Sequence, residues 1–74
     1  MTRQISGRNQ LAGKITAIQL GDILAEVTVQ VGDNLIDAII TKKSALALDL
    51  KIGDSVSALI KATEVMIIKD TQNE

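Results

Sequence analysis

The chain has 74 residues, 46% of them hydrophobic, a formal net charge of −1, and no histidine, cysteine, proline or aromatic residue. That length allows one small domain, which neither a disulfide nor a Cys/His zinc site can staple, and scaffolds of this kind commonly gain stability by oligomerising. The same absences exclude a Ser-His-Asp triad, a thiol nucleophile and a soft-metal site.

Apart from Met1, residues 1–9 are polar except for Ile5 and read as an arm or edge segment. Leu11 to Ile18 reads as a first strand, in which Gly13 signals a bulge or a close backbone approach. Gly21-Asp22 is a hairpin signal. From Ile23 to Val31, apolar Ala25, Val27, Val29 and Val31 alternate with polar Glu26, Thr28 and Gln30, the period of a half-buried strand. Gly32-Asp33-Asn34 is the next turn. Leu35 to Thr41 is a third strand, so rich in apolar residues that cover on both faces is expected. Ser44 to Leu48 favours a short helix, with Thr41 or Lys42 near its cap. After the turn Lys51-Ile52-Gly53-Asp54, a fourth strand runs from Ser55 to Lys61 and a fifth from Glu64 to Ile68, where Met66 reads as core packing.

Five strands with one short helix between the third and fourth predict an all-β fold, a small OB-like Greek-key barrel. The competing arrangement is an open five-stranded sheet that closes only through its partners. One domain over residues 5–69 is expected, with flexible ends at 1–4 and 70–74.

Charge and hydroxyls are unevenly placed. The first 21 residues carry Arg3, Arg8 and Lys14 and no carboxylate. Ser6-Gly7-Arg8 lies in the N-terminal segment, Thr41 and Ser44 flank the helix start, and Lys61-Ala62-Thr63 joins the last two strands. Such a set suits a small tetrahedral oxyanion, which presents acceptors only and so needs donors only. A helix start after Thr41 would add N–H groups and a favourable dipole, and Gly7 lets backbone approach the ligand. Each residue also has a plainer role. Arg8 and Lys61 can be surface cations, Thr41 and Ser44 helix caps, Lys42-Lys43 a solvated pair, and Ser6-Gly7-Arg8 a flexible arm.

Three separated motifs resemble the molybdenum-pterin-binding (Mop) proteins, or molbindins, over roughly residues 5–68. Ser6-Gly7-Arg8-Asn9-Gln10-Leu11 with Gly13-Lys14 resembles the family's N-terminal signature, with Gly7 where the family usually has alanine. Ile39-Ile40-Thr41 with Ser44 resembles its third strand and helix start, followed by the spacing Leu48, Leu50, Gly53. Ile60-Lys61-Ala62-Thr63 with Val65-Met66-Ile67 resembles its C-terminal signature. The resemblance implies a cytoplasmic TOBE-type domain that binds molybdate or tungstate as an intact oxyanion, with no metal ligated directly by protein and no organic cofactor. It implies a homo-oligomer, a hexamer built as a trimer of dimers, with sites shared between subunits. The ligands it implies are Ser6, Gly7 (main chain), Arg8, Thr41, Ser44, Lys61 and Ala62 (main chain).

The expected role is storage or homeostasis of the oxyanion, without catalysis. The alternative is an oxyanion-sensing module acting with a molybdate transporter or regulator; the 74 residues contain no ATPase or helix-turn-helix segment, which favours the free-standing role. A nucleic-acid-binding OB domain is disfavoured by the absent aromatics and the negative net charge. No membrane partner is expected, because no stretch reaches the ~20 apolar residues that span a bilayer, and the start lacks the apolar core of a signal peptide.

Overall fold

A computed structural model describes residues 9–70. The elements are β1 (Asn9–Leu20), β2 (Leu24–Val31), β3 (Asn34–Thr41), α1 (Lys42–Ala47), β4 (Ser55–Ile60) and a 3-10 turn at Ala62–Glu64. The four strands form one antiparallel sheet in the order β3-β2-β1-β4. Three consecutive hairpin-linked strands with the fourth returning beside the first is the Greek-key order.

The long β1 serves two neighbours. Its first half, Asn9 to Lys14, pairs with Ile60 to Ser55 of β4; its second half, Lys14 to Leu20, pairs with Gln30 to Ala25 of β2. Between these halves the register slips at Ile15/Ala17, leaving Thr16 as the extra residue. A bulge bends its strand and resets the side-chain phase. Ile15 and Ile18, three residues apart, consequently both turn toward the core. Gly13 sits just before the bend, where an added Cβ would collide with the Gln30 carbonyl oxygen and lie 2.9 Å from Val29 Cγ1 and Val31 Cγ2. Glycine is there because β2 leaves no room for a side chain. The turn before β4 clamps the same place: Gly53 N donates to Ile15 O (2.8 Å) and Ile15 N to Asp54 O (3.0 Å).

The core is small. Ile15, Val27 and Val29 are buried together, with Ile18, Val31, Ile40, Leu50 and Val56 packed around them. Ala25, Val27 and Val29 are the inward residues of β2, as its alternation predicts. Helix α1 adds the buried Ala45. It spans Lys42–Ala47 rather than Ser44–Leu48 because the Thr41 cap starts it at once, and Asp49, in the left-handed region at φ 52°, ends it.

Three expectations are corrected. β3 is covered on one face only: Ile36, Ala38 and Ile40 are half-buried, whereas Leu35 (65%) and Ile39 (61%) face outward. The described strands form a single sheet, and nothing among the described residues covers that outer face. The fifth strand over Glu64–Ile68 is absent among the described residues; Val65 to Asp70 follows the 3-10 turn without regular pairing. A strand needs a neighbour for its backbone groups, and the tight turn at Ala62–Glu64 carries the chain away from β4. Met66 is accordingly not core packing, being 91% exposed. The all-β, OB-like fold expected is present with four described strands in Greek-key order, β3 and β4 being the end strands of the sheet.

Candidate functional site: two donor clusters at opposite ends of β1

The first cluster lies where β3 becomes α1. Thr41 is the N-cap: its Oγ1 accepts from Ser44 N (3.0 Å) and donates to Ser44 Oγ (2.8 Å). That geometry spends the Thr41 proton and leaves the Ser44 hydroxyl proton free to turn outward. The Lys42 amide donates to Ile23 O (2.7 Å), tying the helix start to the β1–β2 hairpin. Two of the first three helix amides, those of Lys42 and Ser44, are therefore already engaged. A shallow depression of about 500 Å³ opens here, lined by Asp22, Ile23, Thr41, Lys42, Lys43 and Leu46. Asp22 is a surprise: the hairpin folds a carboxylate beside a cluster that is free of acids along the sequence. Lys42 and Lys43 are on the same rim, so the depression keeps a surplus of one positive charge among these residues.

The second cluster lies where β4 ends. Lys61, exposed, is the extended residue before the 3-10 turn, and its carbonyl accepts from Glu64 N (2.9 Å). The Ala62 carbonyl accepts from Val65 N (3.5 Å). Asn9 pairs with Ile60 and its Nδ2 donates to Ile60 O (3.2 Å). Ser6, Gly7 and Arg8 lie outside the described residues, but Asn9, which follows them directly, is held beside the residue that precedes Lys61.

These clusters occupy opposite ends of β1. Asn9 at its start pairs next to Lys61; Leu20 at its end pairs with Ala25, whose neighbour Leu24 pairs with Thr41. Twelve strand residues have a contour of about 40 Å. Curvature shortens that span, yet of three hollows among the described residues none is lined by both Thr41 and Lys61. Within one chain, the structure brings together Thr41 with Ser44, and Lys61 with Ala62, but not the two pairs.

A third group was not singled out as a site by sequence reasoning. Lys14 Nζ donates to Ser55 Oγ (3.2 Å), and with Ser57 and Gly13 they line a shallow hollow of about 460 Å³. The register Lys14↔Ser55 creates it, and only strand pairing could have revealed it. No cluster of His, Cys, Asp and Glu suited to a metal ion occurs among the described residues, and none of their helices is long and apolar enough to cross a membrane.

With this geometry in hand, comparison with known proteins is decisive on ancestry. The TOBE domain family matches residues 5–67. The chain belongs to the TOBE domain family. It is 45% identical over 65 residues to molybdenum-pterin-binding protein 1 of Clostridium pasteurianum, covering 86% of this chain and 96% of that protein. This TOBE domain also superposes on a molybdate-binding protein from Sporomusa ovata with a TM-score of 0.88 and 39% identity, covering 90% of this chain and all of the other. The cytoplasmic molybdate-binding protein ModG, solved with molybdate bound, superposes with a TM-score of 0.76 and 39% identity over 81% of this chain and 43% of its own. The chain spans only a quarter of the longer molybdenum transport protein ModE of Azotobacter vinelandii, at 43% identity over 90% of its own residues.

Proposed function

We propose that this chain binds molybdate or tungstate as an intact dianion, without catalysis, at interfaces between copies of itself, and that it serves oxyanion storage or homeostasis in the cytoplasm. The observation that carries the reading is end-to-end similarity to molybdenum-pterin-binding protein 1, of which it spans 96%. The cytoplasmic setting follows the description of ModG. The ligands in this reading are Ser6, Arg8, Thr41, Ser44 and Lys61, with main-chain groups of Gly7 and Ala62.

Electrostatics favours the shared site. The two donor clusters stand at opposite ends of β1, so one copy's Lys61 end must meet another copy's Thr41–Ser44 end to surround a single ion. Arg8 and Lys61 nearly neutralise a dianion, and enclosure between subunits lowers the local dielectric and strengthens each charge-assisted bond. Six copies, arranged as a trimer of dimers, is the assembly proposed. A ligand that binds only the assembled form stabilises it by mass action. Selection against sulfate, which has the same charge and acceptor pattern, then rests on size: the larger ion bridges donors that the smaller one cannot reach together.

Titration calorimetry with molybdate and sulfate tests this reading. Saturable heat with molybdate, and much weaker binding of sulfate, is the expected result; no molybdate or tungstate binding would overturn it. A second reading, an oxyanion-sensing module working with a transporter or regulator, is favoured by the similarity to part of ModE. Affinity capture that recovers a transporter or regulator subunit only when molybdate is present would select it over storage.

A further inference from the structure

Two charged residues beside the Thr41–Ser44 cluster have no part in the ligand set above. Lys42, half-buried, and Lys43, exposed, open α1 and line the depression that Thr41 shares with Asp22. The first turn of α1 holds no acidic residue. Aligned backbone dipoles make a helix start favourable for carboxylates and unfavourable for cations. Two consecutive lysines therefore stand where the stability of the helix alone would prefer the opposite charge. Pairing does not offset this, because among the described residues neither Lys42 nor Lys43 forms an ion pair with Asp22. A residue at odds with its own local structure points to a role outside the helix.

Their position fits one use. The Lys42 amide donates to Ile23 O and the Ser44 amide to Thr41 Oγ1, so the helix start has little free N–H to offer an ion. Beyond the Thr41 and Ser44 hydroxyls, it offers side-chain charge. The two lysines are positive, and Asp22, on the hairpin tied to α1 through Ile23, is negative. A rim with one surplus positive charge attracts any anion. Coulomb energy scales with the charge of the ion, so a dianion gains twice what a monoanion gains at the same place.

We propose that Lys42 and Lys43 are specificity-determining residues, which favour doubly over singly charged tetrahedral oxyanions at the Thr41–Ser44 end, and that Asp22 tempers them. This inference deepens the oxyanion reading and rests on it. The lysines act through space as charges, whereas Arg8 and Lys61 of the ligand set act as bonded donors. Selection by charge complements selection by size. The rim does not reject sulfate, which carries the same charge as molybdate; it disfavours ions of the right size with half the charge. Asp22 holds the rim below the charge of its two lysines and so keeps the ion releasable, as a store requires.

A ladder of rim charge tests this. Lys42→Gln/Lys43→Gln lowers the rim by two charges, and Asp22→Asn raises it by one. Molybdate affinity by calorimetry at low salt is expected to fall about fourfold in the first and rise about twofold in the second. Perrhenate, a tetrahedral monoanion of similar size, is measured by competition with molybdate. Its affinity is expected to change by only about twofold and about 1.4-fold. Both sets of changes should shrink at about 0.5 M salt, where screening is strong. Lys42→Arg/Lys43→Arg, which keeps the charge, should keep parental affinity for both ions. The glutamine variant should also melt no lower than the parent without ligand, because it relieves the helix start of two cations. A lower melting temperature would show a structural role and overturn the proposal. Parental molybdate affinity in both charge-altered variants would overturn it, as would equal fold-changes for the two anions. Where perrhenate competes too weakly to rank, the molybdate ladder and its salt dependence decide alone. Absence of molybdate binding by the parent would instead overturn the oxyanion reading itself.

Discussion

The two ends of this molecule are built differently. At the Thr41 end, the chain satisfies itself: Thr41 caps α1, Lys42 N is held by Ile23 O, and Ala45 is buried beneath the helix. At the Lys61 end, a three-residue turn leads to an apolar segment that touches little of its own chain. The same 74 residues therefore specify one end that covers itself and one whose apolar segment stays exposed. The contrast locates function as well. The Thr41–Ser44 donor cluster is preorganised by its own hydrogen bonds, whereas Lys61 is exposed on an extended residue before the 3-10 turn.

The sharpest way to break the self-contained end is through its core. Ile15 is 1% exposed, sits at the bulge of β1 and is clamped from both sides of the Gly53–Asp54 turn. Ile15→Ala should cost about 2–5 kcal/mol in denaturant unfolding, a large share of the stability of so small a domain. A loss under about 1 kcal/mol would mean that the core lies elsewhere.

The Lys61 end should respond in binding rather than folding. Arg8→Ala or Lys61→Ala removes a charge-assisted donor, and molybdate affinity by calorimetry should fall at least about tenfold. Unfolding of the Lys61→Ala chain should stay within about 0.5 kcal/mol of the parent at equal oligomer content, because Lys61 is exposed. Thr41→Ala should affect both properties: about 1 kcal/mol of stability through the lost cap, and weaker binding through the lost hydroxyl. A Thr41→Ala chain with parental affinity would remove the helix start from the site. The smallest effect belongs to Asp22, whose carboxylate shares the Thr41 depression. Asp22→Asn should tighten molybdate binding by about twofold at low salt and less at high salt.

Much of the self-contained end was legible in the sequence because its causes are local. The alternation of Ala25, Val27 and Val29 gave the buried face of β2, and Thr41 three residues before Ser44 gave the cap. Gly13 announced a close approach, although the bulge itself fell at Thr16. The expectation failed where apolar residues are left uncovered by the described residues of this chain. Leu35 and Ile39 made β3 look covered on both faces, and Met66 with Ile67 made the last segment look like an internal strand; all four are exposed here. Hydrophobicity says that a residue wants cover, not which chain supplies it. Asp22 escaped notice for the opposite reason, since only the hairpin fold brings it to Thr41. Of the site residues expected, Thr41 and Ser44 meet as a pair, Lys61 and Ala62 share one turn, and Ser6, Gly7 and Arg8 lie outside the described residues.

Native mass spectrometry of the protein titrated with molybdate tests the shared site most directly. Bound molybdate should appear only on oligomers, with the 7.9 kDa single chain remaining bare even as its population falls. Stoichiometric molybdate on that single chain would show that one copy surrounds the ion alone, and would contradict the account.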